Sequence, residues 1–491
     1  MKIKKLFKGI SKIQLKGPKE TEVMGLCSDS RRVAPGDLFF AKRGKSFKGT
    51  DFIADAVLSG ATSIVTDIYN PFLVGISQII TSDVDGLESI IASRFYDQPS
   101  SQLFNIGITG TNGKTTISYL LRHLLSGDQP VGMISTIETA TGKHNRPSEL
   151  TTPDCIAIHK LQKEMLANNC HYSIMEVTSI GLVQDRLNLT RFDRLVFTNL
   201  SRDHLDAHGS MENYLLAKQS FFTNRYAKEG AKAIVNDDAL ETEEILSQFN
   251  GEVLSYGLTS KATCFATSLI YSSRGVEFDL NYLGECVHVK LPMKGEYNVV
   301  NALAASLIAL SCNALSLKQI AAKLATFPGI EGRLQRVSGA PFDIFVDFAH
   351  TPDALKNVLK ALRENHKGKV ITVFGAGGDR DKLKRPLMGE VVTSLSDIAI
   401  ITSDNPRGED PSLIVEDIKK GIVKNQCQVI EEVDRLAAIL KGIELAKKGD
   451  ILLIAGKGHE RGQSLRNRTI DFDDIAVVKE LLLLSTSTSK I

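Results

Sequence analysis

The chain has no Cys-x-x-Cys pair and only seven cysteines, an odd number scattered over 491 residues. That pattern argues against a disulfide framework and against a zinc site built on thiolates. No apolar run approaches the ~18 residues that a membrane-spanning helix needs. The N-terminus, Met1-Lys-Ile-Lys-Lys-Leu-Phe7, is basic, but no apolar stretch of signal-peptide length follows it. An excess of one charge is missing as well. A net charge of +2 gives no global field for nucleic acid or a membrane surface, so any anionic partner must be met locally. Short-period repeats and low-complexity segments are also lacking. What remains is a cytoplasmic protein whose 43% hydrophobic and 24% charged content is ordinary for a globular chain. At ~150 residues per domain, its length suggests about three domains.

The strongest local signal that is present is Gly107-Ile-Thr-Gly-Thr-Asn-Gly-Lys-Thr-Thr116. An apolar run over 103–108 reads as a buried strand before it, and 117–125 has helical apolar spacing after it. Strand, glycine turn and a helix opening on Lys-Thr-Thr describe a phosphate-binding loop. Gly110, Thr111, Asn112 and Gly113 would bring backbone N–H groups to a phosphate, Lys114 would add a point charge, and the Thr115 hydroxyl, next to Thr116, could ligate Mg²⁺. The usual motif has a glycine where Ile108 stands, so this loop is shorter than the common one. The plainer alternative is a glycine turn with a chance lysine, which the strand–turn–helix context disfavours.

In chain order, short β-type runs at 25–28, 37–41, 62–66 and 78–81, with a helix over 51–58, make a small α/β unit. Its polar loops at 28–32 and 42–48 could hold an anion, although such loops are commonly just solvated. The polar, proline-containing stretch 97–102 marks a boundary. Apolar strands at 173–177, 194–199 and 231–236 alternate with helices and predict a mostly parallel sheet, with an antiparallel extension over 251–290. After Gly332-Arg-Leu-Gln335, strands at 342–347, 370–374, 398–402 and 450–455, with helices such as 353–364 and 413–423, repeat a doubly wound pattern. The Ser/Thr-rich tail after Leu484 reads as frayed. The expectation is an α/β chain of three domains: a small α/β domain over 1–99, a central P-loop-type ATPase domain over 100–334, and a C-terminal Rossmann-like domain over 335–491.

Polar clusters recur just past the carboxyl ends of these strands: 176–179, 199–204, 347–352, 375–380, 404–407 and 456–460. Any one of them could be a turn with a helix cap. Together they point to a shared cleft, because open α/β sheets bind ligands at that edge. Glu176, ending an apolar strand, is the best carboxylate candidate for Mg²⁺, and Asp203 and His204 lie where a second metal or a transferred phosphate would be. A histidine at a helix start is as often a cap or core residue.

These residues resemble the Mur ligase family. The resemblance runs through Asp29-Ser-Arg31, Gly110-Thr-Asn-Gly-Lys-Thr115, Thr151-Thr-Pro153, Met175-Glu-Val-Thr-Ser179 and Thr198-Asn-Leu-Ser-Arg-Asp-His-Leu-Asp206. It continues through Gly295-Glu-Tyr-Asn-Val-Val-Asn301, Gly332-Arg333, Asp347-Phe-Ala-His-Thr-Pro-Asp353, Gly377-Gly-Asp-Arg-Asp381, Asp404-Asn-Pro-Arg407 and Gly456-Lys-Gly-His-Glu460. It implies domains for the UDP part, for ATP and for the incoming amino acid, in that order. It also implies that Asn298 and Asn301 contact adenine, with Arg333 and Asp347 serving phosphate and ribose. Ser28 and Ser30, with Lys45, Ser46 and Phe47, would hold the uridine nucleotide, and Thr151, Thr152, Thr178, Gln184 and Arg186 the rest of that substrate. Lys218 matches a lysine that the family carbamylates to bind a second Mg²⁺; a carbamate turns a cation into an oxygen ligand for a hard metal. Where the family has a histidine after Glu-Val-Ser-Ser, this chain has Ile180.

The activity implied is ATP-dependent amide formation on UDP-N-acetylmuramoyl-L-alanyl-D-glutamate through an acyl phosphate, with ATP and Mg²⁺ as cofactors and a monomer as the working form. Two anions must be brought together, so charge neutralisation is the main task, expected of Lys114, two Mg²⁺ and His204. His350 is a candidate for the base that deprotonates the amine. The family adds either meso-2,6-diaminopimelate or lysine, which differ by one carboxylate. Arg407, in Asp404-Asn405-Pro406-Arg407, can pair bidentately with that carboxylate and favours diaminopimelate. Arg380, Gly456 and Glu460 would hold the other end. The rival readings are a lysine-adding member, a folylpolyglutamate-type ligase, and an ATP-binding switch that ligates nothing.

Overall fold

The computed structural model describes residues 1–44, 48–127, 129–423 and 427–488. Lys45, Ser46 and Phe47, expected at the uridine nucleotide, lie outside the described residues. Contacts group the chain into two units, one of residues 1–107, 127–193 and 223–231, the other of 108–126, 194–222 and 232–491. Among the described residues no helix is long and apolar enough to cross a membrane, and all seven cysteines are free thiols.

In the first unit the N-terminal sheet has the order Gln14–Lys16, Ser77–Ile80, Ser63–Thr66, Asp37–Phe40, Gly25–Cys27. The first pair is antiparallel and the others are parallel. Asp37–Phe40 is buried on both faces, as parallel strands are. Leu38 and Phe40 point into a cluster with Ile3, Leu6 and Leu87, whereas Phe39 packs on the other side with Ile53 and Ala56. The expected helix over 51–58 is shorter, Ile53–Leu58, entered through the 3₁₀ turn Gly49–Phe52. The stretch 97–102, read as a boundary, holds the helical turn Pro99–Gln102, pinned by Asn105, whose amide donates to the Ser100 carbonyl at 2.7 Å. This unit also carries Tyr172–Glu176, parallel to Gly132–Ile134, and the antiparallel continuation Glu138–Thr141 and Asn145–Pro147. Strands Phe104–Thr109, Phe192–Phe197 and Ala227–Asn236 begin in the first unit and end in the second.

In the second unit, Glu252–Gly257 is parallel to both its neighbours, so the antiparallel extension begins only at Cys264–Ser272 and continues through Gly275–Tyr282 and Glu285–Leu291. The C-terminal sheet has the order Gln335–Val337, Asp343–Asp347, Ile451–Ala455, Val370–Phe374, Ile398–Ile401, Gln428–Glu431. Its side chains alternate strictly. Phe345, Val370, Phe374, Ala399 and Leu453 meet helices Pro352–Arg363, Lys384–Leu395 and Pro411–Lys419 on one face. Ile344, Val346, Ile371, Ile400 and Leu452 meet Arg435–Leu445 and Asp474–Thr488 on the other. The tail expected to fray after Leu484 stays helical through Thr488. The architecture is the α/β class read from the sequence: N-terminal, central and C-terminal sheets, mostly parallel, the last doubly wound.

Candidate active site

The phosphate loop leaves strand Phe104–Thr109 and opens helix Lys114–Leu125. Its glycines are required by contact. Gly110 has φ +147°, and a Cβ there would fall 1.7 Å from Thr198 Oγ1; at Gly113, φ +89°, it would fall 2.6 Å from Asn301 Oδ1. The loop is held from outside itself. Asn112 N donates to Asn199 Oδ1 at 2.9 Å, and Thr198 Oγ1 donates to the Asn112 carbonyl at 2.6 Å. Thr111 Oγ1 lies 3.1 Å from the Tyr214 hydroxyl, and Asn112 Nδ2 donates to Asp353 Oδ2 at 2.8 Å. Lys114 Nζ folds over the loop and donates to the Gly110 and Thr111 carbonyls, both at 2.9 Å.

A cavity of about 690 Å³ adjoins the loop. Asn112, Gly113 and Thr116 line it together with Asn298, Asn301, Arg333, Asp347 and His350, so the residues expected at adenine, ribose and phosphate share one hollow. Arg333 Nη2 donates to Thr115 Oγ1 at 3.1 Å while its guanidinium lies 4.5 Å from the Phe348 ring centre. Asn301 Nδ2 donates to Asn298 Oδ1 at 3.2 Å. Burial raises the Asp347 carboxyl pKa against the opposing pull of Arg333.

Beside the loop sits a cluster around Asp203. Its Oδ1 is 3.3 Å from the buried Lys384 ammonium, and its Oδ2 lies 3.4 Å from His204 Nε2 and 3.7 Å from His350 Nε2. Burial would raise the Asp203 pKa, but Lys384, His350 and His204 outweigh it and hold the group as carboxylate. Burial lowers His204 to about 4 despite Asp203. At neutral pH His204 is therefore an uncharged imidazole. It can ligate or accept, but it does not add the positive charge expected of it. Burial also lowers His350, with Lys384 adding to the effect. Lys218 is 1% exposed, its Nζ 4.4 Å from the Tyr214 ring centre, and burial with Lys114 nearby pushes its pKa well below the usual value. That shift favours the neutral amine, the form that reacts with CO₂.

In the same unit, Arg407 stands at φ +50°, and its Nη1 donates to the Gly378 carbonyl at 2.9 Å. Burial and the nearby Arg380 both lower its pKa, so two guanidinium groups face one locality. Alongside, Asp404 Oδ2 is buried with no hydrogen-bond partner, and Gly456 comes so close that a Cβ there would lie 2.4 Å from that oxygen. Asn405 Nδ2 donates to Glu460 Oε2 at 2.8 Å. Pro406 reaches the glycine turn, since a Cβ on Gly378 would lie 1.9 Å from its carbonyl oxygen.

The first unit holds a second constellation. Glu176 is fully buried and accepts from Thr136 N and Thr136 Oγ1, both at 2.9 Å. Thr136 Oγ1 is 3.1 Å from Thr151 Oγ1, and Thr152 Oγ1 donates to the Glu176 carbonyl at 2.8 Å. Thr178 Oγ1 donates to Thr152 Oγ1 at 3.0 Å, and Arg186 Nη1 donates to the Thr152 carbonyl at 2.7 Å. Gln184 caps helix Ser179–Val183 through its backbone and is exposed, outside this hydrogen-bonded group. The turn bearing Ser28 and Ser30 is tied to the same region by Arg32 Nη2 on Glu149 Oε2 at 2.6 Å. Ile180 sits in helix Ser179–Val183 where the family's histidine would be. The sequence reading missed Thr136, Lys384 and Tyr214. Tyr214 lies four residues before Lys218 on one helix face and was the findable one; the other two are placed by long-range contacts.

Comparison with known proteins fits this geometry. Residues 108–309 match the model of the Mur ligase middle domain, 332–458 that of the Mur ligase glutamate ligase domain, and 22–89 that of the Mur ligase family catalytic domain. The chain belongs to the Mur ligase family. A family protein of Chlamydia caviae named UDP-N-acetylmuramoyl-L-alanyl-D-glutamate--2,6-diaminopimelate ligase is 43% identical over 465 residues, 94% of this chain and 95% of its own. One of Clostridium acetobutylicum, named as ligase 1 of the same kind, is 41% identical over 486 residues, 98% of this chain and 99% of its own. A solved structure of a ligase with that name is 31% identical, with TM-score 0.66 and 99% coverage of both chains.

Among the described residues there is no group of three His, Cys, Asp or Glu side chains able to hold a metal. Mg²⁺ does not need one, because it binds through one or two protein groups plus phosphate oxygens and waters. The Thr115 hydroxyl and the uncharged His204 beside the phosphate loop suit that mode.

Proposed function

We propose that this Mur ligase adds meso-2,6-diaminopimelate to UDP-N-acetylmuramoyl-L-alanyl-D-glutamate, with ATP as energy source, in peptidoglycan precursor synthesis in the cytoplasm and as a monomer. The observation that carries the choice of amino acid is the pair Arg407 and Arg380 beside the unpartnered Asp404 Oδ2 and Glu460. Two guanidinium groups suit a carboxylate and the acidic oxygens suit an ammonium, the two ends of an amino-acid head or tail. Lysine has one carboxylate fewer and would leave a cation unanswered.

In the first step the γ-carboxylate of the D-glutamyl residue attacks the γ-phosphorus of ATP. A carboxylate–phosphorus bond forms, the β–γ bridge breaks and ADP leaves. Lys114 and the backbone N–H groups of the loop bind the phosphates, with Asn298, Asn301, Arg333 and Asp347 orienting the nucleoside. The amine of diaminopimelate then attacks the acyl carbon; the C–N bond forms, phosphate departs and the amine loses a proton. His350, neutral and 3.7 Å from Asp203, is the candidate to receive it. Mg²⁺ ions, when bound, would screen the phosphate oxygens, with Thr115, His204 and carbamylated Lys218 as candidate ligands on the side of the phosphate loop. Ser28, Ser30, Thr151, Thr152, Thr178, Gln184 and Arg186 are assigned to the UDP-dipeptide; the hydrogen-bonded pairs Thr136–Thr151 and Thr152–Thr178, with Arg186 on the Thr152 carbonyl, support four of them.

Phosphate release measured with ATP and the UDP-dipeptide should rise strongly on adding diaminopimelate and little on adding lysine at the same concentration. Equal rates with lysine would move the chain to the lysine-adding group. Release that needs neither amino acid would make it an ATP-binding switch, and stimulation by a folate would favour the folylpolyglutamate type.

A further inference from the structure

Lys457 lies in Gly456-Lys-Gly-His-Glu460, just past strand Ile451–Ala455, and is 0% exposed. An ammonium has three hydrogens, and all three are used here. Nζ lies 3.2 Å from Asn405 Oδ1, 3.0 Å from Glu460 Oε2 and 2.6 Å from the Gly462 carbonyl. None is left for a ligand, so Lys457 cannot itself bind substrate.

The acceptors join segments that are far apart in sequence. Asn405 Nδ2 donates to the same Glu460 oxygen at 2.8 Å, and Ser464 N donates to Asn405 Oδ1 at 2.9 Å. Gln463 Nε2 donates to the Asp404 carbonyl at 2.7 Å, and Arg407 N to the Ser464 carbonyl at 2.9 Å. The loop 404–407 and the hairpin strand Gly462–Ser464 thus close around one ammonium. Both donors on Glu460 fall on Oε2. Among the described residues no donor reaches Oε1, and the side chain is one-third exposed, at 34%.

We infer that Lys457 is a positioning residue of the amino-acid subsite: it fixes Asn405 and Glu460 so that Glu460 Oε1 is presented to an ammonium of the incoming substrate. This rests on the reading of Asp404–Arg407 and Glu460 as the diaminopimelate site. A buried lysine serving only as filler could give way to an apolar side chain of similar volume with little effect on binding. One that aims Glu460 could not.

Lys457→Met should raise KM for diaminopimelate about 10- to 100-fold, the usual cost of removing a group that orients a binding side chain. KM for ATP and for the UDP-dipeptide should stay within about twofold of wild type, a split that general loosening would not produce. Lys457→Gln, which keeps two donors without the charge, should fall between. Because Lys457 acts through Glu460, the double variant Lys457→Met/Glu460→Gln should be no worse than Glu460→Gln alone. The inference falls if KM for diaminopimelate is unchanged in a folded variant, if all three KM values move together, or if the losses add. It also falls if circular dichroism finds neither single variant folded, since Lys457 would then be needed for folding alone. Failure of the wild-type enzyme to ligate diaminopimelate is a separate result and would overturn the site reading beneath it.

Discussion

Lys218 and Arg407 are each held in a state that a free side chain would avoid, and each state favours one chemistry. The Lys218 ammonium is out of water with Lys114 near it, and burial favours the neutral amine. If that amine carries CO₂ as a carbamate, the group that matters is an oxygen anion and not a cation. Lys218→Arg should therefore be as inactive as Lys218→Ala, each losing about 10²- to 10³-fold in kcat, the cost of removing one preorganised electrostatic group. Acetate in the assay should restore part of the activity of the alanine variant alone, read as ADP release. An active arginine variant would end the carbamate assignment. For Arg407 the expectation is a binding defect. Arg407→Ala removes one of two facing guanidinium groups, and a lost charge-assisted pair costs about 2–5 kcal/mol, roughly 30-fold or more in affinity. KM for diaminopimelate should rise by that factor while ATP binding, followed by calorimetry, is retained. Unchanged diaminopimelate kinetics would remove Arg407 from the specificity site.

Helix Cys155–Ala167 carries His159, which is fully buried. Burial, partly offset by the Asn188 backbone, lowers its pKa from 6.5 to about 4. Between those two values the unfolded chain takes up a proton and the folded chain does not. The stability tied to a neutral His159 is thus complete above pH 6.5 and is lost as the pH falls toward 4, by about 3 kcal/mol in all. His159→Leu should shrink the drop in urea midpoint between pH 7 and pH 5; an undiminished drop would place the acid sensitivity elsewhere. The strands show what the sequence makes legible. Buried parallel strands are apolar runs, so Val370–Phe374, Ile398–Ile401 and Ile451–Ala455 announce themselves, and the polar clusters at their carboxyl ends announce the cleft. Gly132–Ile134, Asn145–Pro147, Gln428–Glu431 and Gly462–Ser464 do not, because short or exposed strands carry no periodic signal. The site divides in the same way. Lys114 and Arg407 sit in local motifs, whereas Lys384 beside Asp203 and Lys457 beneath Asn405 owe their roles to contacts across 181 and 52 residues. The burial that makes each lysine significant is invisible in a run of charged residues.

Across the whole molecule, the C-terminal sheet is sandwiched between two helical layers, and each layer's apolar cluster is closed by residues from that part of the chain. Among the described residues, the cluster on the side of helix Pro352–Arg363 draws only Tyr297 from outside 334–491, and the one on the side of helix Asp474–Thr488 draws nothing from outside. The buried ion pair Arg435–Asp474, at 2.8 Å and fully enclosed, also has both partners here. A sheet covered on both faces by its own helices meets the requirement for an autonomous core. We therefore propose that the boundary at 334 marks a folding domain and not merely a change in composition. The fragment 335–491 should unfold in urea in a single cooperative transition, with a stability of about 5–15 kcal/mol and dispersed amide resonances. It should not bind ATP, because Gly110–Thr116, Asn298 and Arg333 lie outside it. A broad, non-cooperative transition would mean that this core is completed from elsewhere in the chain, through Tyr297 or beyond, and that the boundary belongs further toward the N-terminus.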